Sequence, residues 1–146
     1  MMPTYHCLVC AVDLTADANR VVRHSLQLVQ QNRQKLHLIH ACEHPITGYG
    51  ELTGNSHLIT ESQIRRSIYP YMETLSKHHD IPVKNLHIEF GRPAAVIHAL
   101  AATLAADLIV IGSHGRSGIR AWLGSTANSV LHGANCDVLT VRIKEN

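Results

Sequence analysis

Aromatic side chains are scarce in this 146-residue chain, at 4%, with one tryptophan and one phenylalanine, and charged residues make up only 16%. The charges nearly balance, 13 Lys+Arg against 11 Asp+Glu. No polybasic surface therefore argues for nucleic acid or an anionic membrane as a partner. No apolar run approaches the roughly 18 residues of a membrane span. The amino-terminal MMPTYHCLVCAVD has neither the basic flank nor the small-residue cleavage site of a secretory signal, so a cytoplasmic location is expected. The four cysteines, Cys7, Cys10, Cys42 and Cys136, fit a reducing compartment. A 45% hydrophobic content is enough for one core, and a single domain over residues 1–146 is the expectation.

Several chemistries are missing as well. Cys7-Leu-Val-Cys10 has redox spacing, but it lies in an apolar run with no helix start after its first cysteine, and on a strand positions i and i+3 point to opposite faces. Two small buried side chains are the simpler reading. Twelve histidines invite a metal hypothesis, yet they are scattered from His6 to His132. His37 and His40 lie three apart on a predicted strand and face opposite ways, and His78-His79 ends a polar helix where a positive ring suits the dipole. No metal site of protein ligands is expected.

Apolar periodicity alternates between two types. Tyr5 to Asp13 is a short strand-like run, and a helical stripe through Val21, Val22, Leu26 and Val29 follows, with Thr15 as its expected N-cap. Lys35 to Cys42 predicts a second strand, and ESQIRRSIYPYMETLSKHHD a helix interrupted or kinked at Pro70. Asn85 to Gly91 is the third strand, followed by a helix with Pro93 in its first turn, where a missing N–H costs nothing. Asp107 to Gly112 is the fourth, STANSVLHG the last helix, and Asp137 to Ile143 the fifth strand. Such repetition implies a parallel sheet covered on both faces by right-handed crossovers. LIVIG, without polar alternation, suits a strand buried on both sides.

In sheets of this kind ligands bind beyond the carboxyl ends, where strand order reverses. If the first and fourth strands are central neighbours, Asp13 and Gly112 meet there. The stretch from Gly112 to Gly133 has glycines at 112, 115, 118, 124 and 133 and contains His114, Arg116, Arg120 and His132. No acidic residue lies between Asp107 and Asp137. Gly112 and Gly115 can take positive φ or admit a ligand to the backbone, and Gly124-Ser125-Thr126 opens a helix whose free N–H groups attract anions. The pattern is not a Walker sequence: G-x-x-x-x-G-K-[S/T] is absent and the stretch holds no lysine.

CAVDLT, GRPAAVI, ADLIVIGSHGRSG, LGSTANSVL and CDVLTVR together resemble the universal stress protein (UspA-like) family over essentially the whole chain. The run from Gly112 to Ser125 is similar to the motif G-x2-G-x9-G-[S/T] of its nucleotide-binding members. Here eight residues, Arg116 to Leu123, stand where that motif has nine. The resemblance implies an open five-stranded α/β sheet of order 3-2-1-4-5, adenine nucleotide alpha hydrolase-like, and homodimers paired through the last strand. It also implies ATP with Mg2+ as cofactor. Asp13 would meet the adenosine end and Ala41 the adenine, while Gly112, Gly115, Gly124, Ser125 and Thr126 would line the phosphates.

Phosphoryl transfer requires metal carboxylates and a group that positions the nucleophile, and Asp13 is the one clear acid of this set. Glu43 and His44 open the long loop EHPITGYGELTGNSH, and His114 is a weak candidate base. A non-enzymatic, ATP-binding regulatory module is thus expected, with a weak ATPase and a nucleotide-free dimeric interaction protein as alternatives. Trp122, two residues before Gly124, reads as an apolar anchor of the glycine-rich connection.

Overall fold

The computed structural model of the chain describes residues 4–43, 59–114 and 124–143. In chain order these form β1 (Leu8–Ala11), α1 (Ala18–Leu28), β2 (Leu36–Cys42), α2 (Glu61–His79), β3 (Leu86–Phe90), α3 (Pro93–Leu104), β4 (Leu108–His114), α4 (Gly124–Gly133) and β5 (Asp137–Ile143). All strand pairs are parallel and the order is β3-β2-β1-β4-β5. Cys10 stands beside Leu38 on one flank and Val110 on the other, so the row at the centre of the sheet is apolar throughout.

Each face of the sheet carries its own core. Leu8, Cys10, Val12, Leu38 and Val110 pack with Val22 of α1 and Met72 of α2. The alternate residues Val9, Ala11, Ile39, Ala41, Ile109 and Ile111 pack with Ile97 of α3 and Ala127 and Val130 of α4. The alternation separates Cys7 from Cys10 as the strand period requires. Cys10 is buried and its thiol is pushed up to about 12 by burial, which disfavours the thiolate that redox exchange needs.

Three local expectations are corrected. Thr15 does not cap α1: its hydroxyl donates to Asp13 Oδ1 at 2.6 Å and accepts from the Asp17 N–H at 3.3 Å, and Asp17 occupies the N-cap without a side-chain bond. The helix thus starts two residues later than expected, with the Thr15 hydroxyl engaged by Asp13. Pro70 does not interrupt the helix but lies inside a continuous α2, whose start is fixed by a capping box between Thr60 and Gln63. Its carbonyl accepts the Thr74 hydroxyl at 2.9 Å.

His79 is the third. It does not present a positive ring to the helix end; it is buried with Nε2 2.8 Å from Asn19 Oδ1 of α1. Burial holds its pKa below the usual imidazole range, and the nearby His78, Arg23 and Arg33 lower it further while Asp80 offsets part of the shift. A neutral ring joining α1 to α2 stands where sequence suggested a dipole partner.

Candidate functional site

Strand order reverses between β1 and β4, and the helices that follow them, α1 and α4, pack on opposite faces of the sheet. Asp13 and Gly112 arrive there together, lining a notch with Asp17, Val21 and Ile143. Asp13 Oδ1 also accepts the Thr15 N–H at 3.0 Å, which closes the turn after β1. Gly112 is not in the positive-φ region: among the described glycines only Gly91 is. Its lack of a side chain has a packing reason. An added Cβ would stand 3.0 Å from Val21 Cγ2 and 3.5 Å from the Ile143 side chain.

On the other face the start of α4 meets the start of α3. A cavity of about 430 Å3 opens between them, lined by Glu43, Arg92, Pro93, Ala94, Ala95, Thr126 and Ser129. Ala41 is buried in the α3/α4 core beside this opening, in one cluster with Ala127 and Ala94. Gly124 and Ser125 form the first turn of α4, which contains no acidic residue. Of the expected site residues, then, Asp13 with Gly112 and Ala41 with Thr126 form two groups on opposite faces of the same strand ends. Gly115 lies outside the described residues, as do Arg116, Arg120 and Trp122.

A further opening of about 420 Å3 separates the turn after β1 from α2, with Asp13, Thr15, Asn19, Tyr71, Met72 and His78 among its walls. Asp13 therefore borders two openings. Sequence reasoning did not find two side chains here. Arg92, the N-cap of α3, places an exposed cation on the wall of the larger Thr126 cavity; its position directly before Pro93 was the available signal. His40 Nδ1 lies 2.8 Å from the Val12 carbonyl oxygen and supports the end of β1 from β2. Burial lowers the pKa of that ring, while the Val12 carbonyl and the Asp13 charge offset part of the shift. Nothing in the strand pattern of β2 marked it.

Among the described residues no group of three or more His, Cys, Asp or Glu side chains is placed to hold a metal ion. No described helix is long and apolar enough to cross a membrane.

The profile of the Universal stress protein family matches residues 4–142. A curated relative, universal stress protein A homolog 2 of Coxiella burnetii, is 36% identical over 151 aligned residues, covering 98% of this chain and 99% of that protein. The chain belongs to the universal stress protein family. Solved structures agree in fold. Hypothetical protein MJ0577 superposes with a TM-score of 0.72 at 20% identity, covering 97% of this chain and 99% of that one. A universal stress protein in complex with cAMP superposes with a TM-score of 0.65 at 21% identity, covering 96% and 98%. The β3-β2-β1-β4-β5 sheet is thus the universal stress protein fold, adenine nucleotide alpha hydrolase-like, and the two groups of site residues lie at its carboxyl ends.

Proposed function

We propose that this universal stress protein binds an adenine nucleotide, ATP with Mg2+, across the carboxyl ends of β1, β2 and β4, and that occupancy regulates its interactions with partner proteins in the cytoplasm. The observation that carries the reading is the meeting of two unlike surfaces at the point where strand order reverses. One is the notch of Asp13 and Gly112; the other is the Thr126 cavity, with Arg92 on its wall and the amino end of α4 beside it. A helix start without acids, next to an arginine, suits phosphate oxygens. A cavity of about 430 Å3 also falls within the ordinary size range of small-molecule sites. The cAMP complex of a structural neighbour supports an adenine nucleotide as the ligand class.

Magnesium takes hard oxygen ligands and usually one or two carboxylates besides phosphate. Asp13 and Asp17, which share the notch, are the described carboxylates that fit this role, and Gly112, Gly115, Gly124, Ser125 and Thr126 would cradle the phosphates. Bound magnesium would neutralise part of the phosphate charge. The side chains themselves position rather than react: Asp13 is already engaged by Thr15, and Arg92 is a fixed cation with no proton to transfer. Binding is therefore favoured over hydrolysis, and the homodimer would pair through β5.

Isothermal titration with ATP and with cAMP, each with and without Mg2+, tests this directly. ATP should bind in the presence of Mg2+. Arg92→Ala should weaken it by about tenfold, as expected for loss of a charge-assisted hydrogen bond, and Gly124→Glu should abolish it. No heat with either nucleotide, and none released on denaturing the purified protein, would make the nucleotide-free interaction protein the correct reading.

A further inference from the structure

A histidine pair lies at the other end of the same strands, outside the carboxyl-end crevice. His37 on β2 and His87 on β3 face each other with Nδ1 and Nε2 3.0 Å apart, ring centroids 5.2 Å apart and planes inclined by 33°. They are 50 residues apart in the chain. The parallel register brings them together: Ile39 pairs with His87, and His37 precedes Ile39 by one pleat period on the same face. Both rings are partly exposed, so a ligand can reach them from solvent.

We propose that His37 and His87 form a two-imidazole site for a borderline divalent transition metal, Zn2+ or Cu2+, with water completing the coordination sphere. Imidazole nitrogen is the donor these ions prefer among protein ligands. Two metal–nitrogen bonds of about 2.0–2.1 Å at a tetrahedral angle separate the nitrogens by about 3.3 Å. The observed 3.0 Å requires an opening of only a few tenths of an ångström, with both rings turning so that their lone pairs converge on one point.

The protonation states suit the exchange. One ring donates its N–H to the other in the present arrangement, and burial lowers the pKa of both rings, so a metal meets neutral imidazoles at neutral pH. The donating ring must move that proton to its outer nitrogen through solvent, a change of tautomer with no net proton released. Lys84 is the positive charge that acts on His37 and opposes a cation, whereas Glu89, two residues beyond His87 and exposed on the same face, favours one. α3, which covers this side of the sheet, carries His98 as its one titratable side chain, and that ring lies against Gly133 instead. Two other shielded rings have partners, His40 the Val12 carbonyl and His79 the Asn19 side chain, whereas the buried His98 Nε2 has no hydrogen-bond partner.

The decisive measurement on the unmodified protein is 15N-resolved NMR of the histidine side chains with substoichiometric Cu2+. Broadening should appear first at His37 and His87; broadening that starts at other rings overturns the proposal. Zn2+ titration calorimetry on variants is the second readout. H37Q and H87Q should each weaken the tightest Zn2+ event at least tenfold, and the double variant should be no weaker than either single one. H78Q, which alters an exposed ring on α2, should leave it unchanged. Wild-type affinity in H87Q, or equal loss in H78Q, would reduce the pair to a structural N–H···N hydrogen bond.

Discussion

β1 and the first half of β4 keep Leu8 to Ala11 and Leu108 to Ile111 at 2% exposure or less, whereas β5 leaves Asp137, Leu139, Thr140 and Arg142 exposed and β3 fully buries only Ile88. The contrast follows from position. Where a strand lies between two neighbours and under helices on both faces it has no solvated side, so β1 and the first half of β4 are apolar, while β2, one place in from the edge, already admits the half-buried His37 and His40. A strand at the rim is covered less completely and can keep polar and titratable groups. The central strands therefore contribute their ends to a site, through Asp13 and Gly112, while the rim contributes side chains along its length, through His87.

The largest test of this contrast is a matched pair of truncations. Ile109→Ala, at the fully buried centre of β4, should lower unfolding free energy by about 2–5 kcal/mol. Leu139→Ala, 37% exposed on β5, should change it by less than about 0.5 kcal/mol. Urea denaturation at one protein concentration checks both. A homodimer paired through β5 would sharpen the result, because Leu139→Lys should then shift sedimentation toward the monomer without unfolding the chain. Equal losses for the two alanine variants would show that β5 is not a rim.

The same division explains what the sequence made legible. The sequence marks Asp137 to Ile143 as a strand through Val138, Leu139, Val141 and Ile143, and LIVIG as buried on both sides through its apolar continuity, because both patterns are local. β1 is shorter than Tyr5 to Asp13, and at its amino end long-range bonds replace the ladder: Tyr5 Oη donates to Asp137 at 2.8 Å, and Asp107 accepts the N–H groups of His6 and Cys7. The His37–His87 contact depends on the register between β2 and β3, which neither strand states alone. At Gly112 the sequence allows positive φ or close approach of a ligand to the backbone; the structure gives an ordinary φ and sets Val21 of α1 against the position.

That finding gives a medium-sized effect. Gly112→Ala meets no backbone penalty, since Gly112 is not in the positive-φ region, but its methyl would press on Val21 Cγ2 at 3.0 Å. Val21 is 3% exposed and has little room to yield. Overpacking should cost about 1–3 kcal/mol. The double variant Gly112→Ala with Val21→Ala should recover part of this loss, a coupling between neighbours that independent sites would lack. Purely additive losses in the denaturation series would mean that the glycine is required for some other reason, such as close approach of a ligand to its backbone.

The smallest expected effect is in acid, and it distinguishes rim from centre by titration. Burial holds the folded pKa of His37, His40, His79 and His87 below the ordinary imidazole value of about 6.5. Below that value the unfolded chain takes up protons that the folded rings resist, so stability should be flat above it and fall as pH drops, until the folded rings protonate as well. Two of the four rings form the rim pair, and each proton there also repels the other ring: His87 is a named cause of the lowered His37 pKa. His87→Gln should thus relieve more than one ring's share of the acid loss, whereas His40→Gln, beneath Asp13, should relieve only its own. Urea midpoints for the wild type and both variants, measured from about pH 8 to pH 5 across the ordinary imidazole titration, decide the matter. An unchanged slope in His87→Gln would place the acid sensitivity at His40 and His79 and leave the rim without a part in it.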